Sequence, residues 1–440
     1  MSKKIRLQLI SGLVAFNLLA ALLLMAPLPR ATGQQKSVTV NPSNARGAAV
    51  VAATAVVLKE TSEIRQLPII RPVKSGAQSR DEIERMIIKN MNEETTPEEM
   101  RASELALKKL GLVPQTFEFR AFLVKLLTEQ VAGYYDPKAQ QFYLADWIDL
   151  DGQKPVMSHE LTHALQDQHF NLRRFEKWPK GDSDAETAAH ALVEGDASYV
   201  MMLYIQRNPL RALAFLRSMT QSGGGSELMD QAPRALRESL LFPYDEGMKW
   251  VSEVYKRGGW EQVSKAFTDL PQSSEQILHV DKYFSREAPR KVALADSSAL
   301  LGAGWKRIDY DVNGEWSYYL ILDQYLKSEA DSERASAGWA GDRYALYEGP
   351  KPGDLLLVQR SVWDTEKDAE EFFDAYTRRT ALRYEGATEI EPRGSEPVTR
   401  RAWHTPEGDV LMERRGASIV IAEGLQQRMK TKALLEAAWK

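Results

Sequence analysis

The pattern that most constrains this chain is His159-Glu160-Leu161-Thr162-His163, an H-E-x-x-H run that opens the longer stretch His159–Phe170. On a helix, residues four apart differ by about 40° of rotation and about 6 Å of rise. Two imidazoles at 159 and 163 can therefore converge on one ion. Glu160 sits about 60° further round than His163, poorly placed as a ligand but able to reach a water on the metal. Neutral imidazoles suit Zn²⁺, which lowers the pKa of a bound water to about 7. A carboxylate beside that water can take its proton as attack on a carbonyl begins. Only six histidines occur in 440 residues, so this spacing is not expected by chance.

Two imidazoles need a third protein ligand, and with no cysteine in the chain it must be a histidine or a carboxylate. His169 stands six residues after His163, an offset used by metzincins, but Gln166 occupies the place of the glycine that turns the chain back. A helix that simply continues carries His169 to about 240° from His163, facing away. The other route is a helix after Ser183, where Glu186, His190 and Glu194 fall four apart on one stripe. Glu194 precedes Gly195, and a mid-helix glycine costs about 1 kcal/mol relative to alanine. That cost is understandable if a second metal-bearing helix approaches closely, so Glu194 is the expected third ligand.

Around these motifs the chain reads as an α+β protein: a mostly helical catalytic region, then a smaller α+β unit with an antiparallel sheet. Residues 1–33 form a leader, with Lys3, Lys4 and Arg6 before an uncharged run from Leu7 to Pro29. The small residues Ala31-Thr32-Gly33 suit cleavage, and an uncleaved membrane anchor is the alternative. Residues 34–47 read as a polar linker, 48–290 as the metal-bearing domain and 291–440 as the C-terminal unit. Pro68–Val73 is expected as a short strand. Gly133–Asp136 and Gln141–Leu144 should form a hairpin, either strand of which could pair with an extended substrate. Capping boxes are expected at Ser79/Glu82, Thr96/Glu99 and Ser183/Glu186. Helices are expected over Pro233–Leu241 and Gly247–Lys256, with a stop and restart at Gly258-Gly259 and a flexible joint at 223–225. Asp364 is expected to cap the helix that follows it. A net charge of −4 with the two signs mixed gives no basis for nucleic-acid binding.

His159-Glu160-x-x-His163 with Glu194-Gly195-Asp196-Ala197 resembles the gluzincin class of zinc metallopeptidases. It is more closely similar to exported bacterial metallopeptidase-like proteins with H-E-L-T-H-A-L-Q-D-Q and E-G-D-A motifs, over roughly residues 115–285. The resemblance implies a zincin fold, Zn²⁺ on His159, His163 and Glu194, Glu160 as the catalytic carboxylate, and a protein or peptide substrate. The spacing to Glu194 and the missing N-E-x-x-S-D pattern depart from thermolysin-like enzymes, so their specificity does not carry over. The expected function is that of an exported metallopeptidase, periplasmic or extracellular. The alternatives are an envelope binding or assembly module that keeps the metal, and a zinc hydrolase acting on another bond. His279, the one histidine between the metal region and the C-terminal unit, is a further catalytic candidate: an oxyanion donor whose tautomer Glu275 would fix.

Overall fold

Two glycines placed in helix interiors, Gly195 and Gly247, decide how the helices around the metal motif can stack. The computed structural model describes residues 42–147, 149–178, 181–221, 227–390 and 399–440. The expected leader, most of the linker and the joint at 223–225 lie outside the described residues.

The first helix, α1 (Pro42–Arg65), begins inside the stretch expected to be linker. The first strand, β1 (Lys74–Gln78), starts beyond the expected Pro68–Val73. Prolines at 68 and 72 supply no N–H donors, so pairing begins after them. Helices α2 (Arg80–Glu94) and α3 (Pro97–Leu110) open on the two expected capping boxes, and α3 ends on left-handed Gly111 at φ 75°. After α4 (Phe119–Gln130) come β2 (Gly133–Asp136) and β3 (Gln141–Ala145), an antiparallel hairpin. β1 joins it in parallel on the far side, giving the order β1-β3-β2.

The motif helices follow. α5 (Lys154–Phe170) carries His159 and His163; α6 (Ser183–Gln206) carries Glu194. The cap of α6 is Asp182, which accepts from Ala185 N, rather than the expected Ser183, whose side chain and N–H turn to Asp311. Helices α7 (Pro209–Gln221) and α8 (Glu227–Asp230) lead to α9 (Arg234–Ala266). The two expected helices are thus one, running through Pro243, and the expected break at Gly258-Gly259 is a kink with Gly259 at φ 63°.

Short helices α10 (Ser274–Leu278), α11 (Val280–Ser285) and α12 (Ser298–Leu301) connect to the C-terminal region. That region comprises β4 (Lys306–Asp311), α13 (Gly314–Leu326), α14 (Glu329–Ser336), β5 (Trp339–Glu348), β6 (Leu355–Trp363) and α15 (Glu366–Arg383). It closes with β7 (Thr388–Glu389), β8 (Thr399–His404), β9 (Asp409–Arg415), β10 (Ser418–Leu425) and α16 (Thr431–Ala438). Its seven strands form one antiparallel sheet in the order β4-β5-β6-β10-β9-β8-β7. The class is α+β, with the antiparallel sheet in the C-terminal region. Thr365 and Asp368 make the capping box of α15, while Asp364 pairs instead with Lys282.

One core lies among α1, α5, α6 and α9, built from side chains such as Leu161, Leu165, Leu192, Val200 and Trp250. Each such side chain contributes about 1.5–3 kcal/mol on burial. A second core joins Ile87, Leu110 and Leu123 of the early helices to Leu357, Phe372 and Ile421 of the C-terminal region. Polar ties cross the same seam: Lys109 meets Glu407 at 3.1 Å, and the Tyr325 hydroxyl donates to Gly111 O at 2.9 Å.

The α6–α9 crossing is set by the two glycines. A Cβ on Gly195 would lie 2.2 Å from the backbone of Gly247, and one on Gly247 would lie 2.2 Å from the carbonyl of Ala191. Gly195 does mark a close helix approach, but its partner is α9, not the other motif helix. The pressed-in α9 lays Tyr244 against the His159 ring, with centroids 6.0 Å apart.

Candidate metal centre

His159 and His163 are one helical turn apart on α5, and both are 1% exposed. Glu194 reaches them from α6 and is the most open of the three at 8%. Its Oε2 lies 3.1 Å from His159 Nε2 and 3.4 Å from His163 Nε2, and the two Nε2 atoms are 3.1 Å apart. Zinc bonds of about 2.0–2.1 Å at tetrahedral angles place neighbouring ligand atoms about 3.3 Å apart. The three donors therefore have the spacing of one face of such a site. Two imidazoles and a carboxylate, with the fourth corner left to water or substrate, are also the donor set of a catalytic zinc site.

The charges agree with that fit. Burial pushes the Glu194 carboxyl up, but the two imidazoles beside it hold it well below the usual carboxylate range. Burial alone would lower His163; the Glu194 charge against it raises it to about 9. Burial lowers His159, whose ring has the weaker compensation. The Glu194 carboxylate is thus kept ionised, and its charge favours a positive partner at the point where the three donors meet, His163 being the one at hand.

Further residues, which the motif alone does not announce, fix these ligands. Gln166 Oε1 lies 2.9 Å from His163 Nδ1. An amide oxygen only accepts, so Nδ1 carries a proton, and in the neutral ring the Nε2 lone pair is left facing Glu194. The amide is itself held, because its Nε2 donates to Val193 O at 3.0 Å and to Asp196 Oδ2 at 2.9 Å. Asp196 is in turn gripped by Arg65 from α1 at 2.6 Å, both side chains being fully buried. A chain of contacts thus runs from Arg65 through Asp196 and Gln166 to His163. Metal-binding histidines are commonly oriented in this way.

Glu160 is fully buried, and Tyr135 N–H of β2 donates to its Oε2 at 2.8 Å. Of the strands proposed to pair with substrate, β3 is bonded along both edges. β2 is an edge strand, but its residues 133–135 are buried and Tyr135 N–H is committed to Glu160. His169 rides the continuing helix away from the cluster and meets Pro68 O at 2.8 Å. Glu186 is buried on α6, and burial lowers the neighbouring His190.

His279 is not part of the three-donor cluster. Its Nε2 lies 2.8 Å from Oε1 of Glu315, on α13. The expected partner Glu275 instead takes Lys282 Nζ at 2.7 Å. Sequence proximity suggested Glu275; Glu315 is brought in by the fold.

Residues 301–433 match the family model of a domain of unknown function (DUF8575). The match covers the C-terminal sheet region and leaves the three-donor cluster outside it. No curated protein and no solved structure matches the chain.

Proposed function

We propose that this protein is an exported zinc-dependent metallopeptidase. The observation that carries the reading is the convergence of His159, His163 and Glu194 at 3.1–3.4 Å, with Glu160 next to His159 on the same helix. When bound, zinc supplies a water acidic enough to be deprotonated near neutral pH and an electrophile for the carbonyl oxygen.

The chain's own residues supply the remainder. Gln166 keeps His163 in the tautomer that presents Nε2. Tyr135 N–H holds the Glu160 carboxylate in place for its proton transfers. Glu160 accepts the proton of the attacking water and passes it to the amine that leaves when the C–N bond breaks. The nearly dry surroundings of the three donors strengthen every one of these electrostatic contacts.

A scaffold that only stored a metal would have no use for a buried carboxylate at 160, which supports an enzyme over a binding module. The export part of the proposal rests on Lys3 to Gly33. Among the described residues, no helix is long and apolar enough to cross a membrane. The functional test is cleavage profiling of a peptide library with wild type and Glu160→Gln. Products should appear with wild type and fall by about 10²-fold or more in the variant. Turnover that survives undiminished in Glu160→Gln would remove the mechanism, and turnover of only non-peptide esters would change the substrate class.

A further inference from the structure

A cavity of about 710 Å³ lies between α9, α13 and α14, within the range of ligand pockets. Its aromatic wall is continuous: Phe242 packs on Trp316 at 4.7 Å between centroids, and Trp316 stacks on Tyr319 at 5.1 Å. Its charge is unbalanced. The three fixed cations at its lining are already committed: Arg234 to Glu238 and Asp323, Lys249 to Glu246 at 2.7 Å, and Arg334 to Asp331. Asp245, Glu329 and Glu333 also line the cavity and make no ion pair among the described residues. Glu315 adds an independent sign of a missing partner. It is 3% exposed, His279 occupies one of its oxygens, and its Oε2 has no hydrogen-bond partner among the described residues. On the same wall, the indole N–H of Trp316 is buried and likewise without an acceptor.

An aromatic face with surplus carboxylates is the arrangement that holds an alkylammonium or guanidinium group. We propose that this cavity binds a basic peptide segment, with a Lys or Arg side chain against Trp316 and Tyr319 and its charge beside Asp245 and Glu333. That the occupant is a peptide rests on the metallopeptidase reading; that it is a cation does not. The cavity and the metal centre share helix α9. Phe242 and Asp245 face the cavity from α9, while Tyr244 between them packs on His159. α9 thus presents one face to the cavity and another to the metal centre.

The test is calorimetric titration of the full-length Glu160→Gln chain, which does not turn substrate over, with Ala-Ala-Arg-Ala-Ala, Ala-Ala-Glu-Ala-Ala and spermidine. The arginine peptide should bind about tenfold or more tightly than the glutamate peptide, a difference of about 1.4 kcal/mol. Adding Asp245→Asn and Glu333→Gln should remove that preference, while Glu129→Gln, outside the cavity, should leave it. The preference should persist after chelation, which separates this site from the metal centre. Equal affinity for the two peptides, or a preference untouched by the paired cavity substitutions, would overturn the proposal. Spermidine binding as tightly as the arginine peptide would overturn the assignment to a peptide.

Discussion

The amide oxygen of Gln166 lies 2.9 Å from Nδ1 of His163, one helical turn along α5. The contact turns an H-E-x-x-H helix into a directed ligand, because it decides which ring nitrogen carries the proton. Gln166 stands where a metzincin has a turning glycine. Here the helix continues, and the side chain at that position orients the ligand before it.

Gln166→Leu should keep the fold and lower zinc affinity by about 10–100-fold, the usual loss when the group orienting a metal-binding histidine is removed. Competition with a chelating dye measures this directly. Unchanged affinity would mean that packing alone fixes the His163 ring.

The Gly195–Gly247 crossing should be intolerant of a single methyl group. Gly247→Ala places Cβ 2.2 Å from a backbone carbonyl, so the helices must part, at a cost of about 3 kcal/mol or more. In Gly76→Ala the new Cβ meets nothing closer than 3.5 Å, and stability should move by about 0.5 kcal/mol or less. Chemical denaturation of the two variants checks the contrast.

A buried acidic pair should give stability an unusual dependence on pH. Burial raises Asp309 and Asp311, two residues apart on one face of β4, and the Asp311 charge raises Asp309 further. A carboxyl raised in the folded state binds its proton more tightly there than in the unfolded chain, where the value is about 3.9. Its contribution is therefore present below that value and is lost as pH rises through the folded pKa. Glu423 has the opposite sign. Although burial pushes it up, Arg379, Arg383 and Lys109 bring it down to about 2, so its contribution is present above the unfolded value of about 4.3 and is lost as pH falls from there through about 2. Asp309→Asn should flatten the fall in stability between about pH 4 and neutrality. Unfolding curves across that range that coincide in shape with wild type would contradict this.

The Arg379–Glu423 pair is fully buried, with the closest atoms 3.2 Å apart. Glu423→Gln leaves the buried Arg379 guanidinium without its counter-charge, while Arg383 keeps Glu407, and should cost about 3–5 kcal/mol. Loss of the exposed partner in the Arg101–Glu348 pair, by Arg101→Ala, should cost no more than about 1 kcal/mol. Thermal unfolding of both variants tests whether burial decides the difference.

Local patterns in the sequence were good guides to local structure. The capping boxes at Ser79 and Thr96, the Gly111 stop and the Gly258-Gly259 kink each depend on a few adjacent residues. The convergence of Glu194 on His159 and His163 was also legible from helical spacing, whereas the costly Gly195 marked a close approach by α9 and not by the other motif helix. What was hidden is long-range. Arg65 reaches Asp196 across 131 positions of sequence, and His279 reaches Glu315 across 36. No periodicity reports such partners, so Glu275 looked the better neighbour for His279. The Pro68–Val73 strand failed for a local reason, since two prolines removed donors that pairing needs.

The central claim is that one zinc ion sits on His159, His163 and Glu194. Metal content of purified protein, by inductively coupled plasma mass spectrometry, tests it most directly on wild type, His163→Ala, Glu194→Ala and His169→Ala. The account predicts about one zinc per chain for wild type and His169→Ala, and little metal in the other two. Zinc retained in Glu194→Ala but lost in His169→Ala would contradict it.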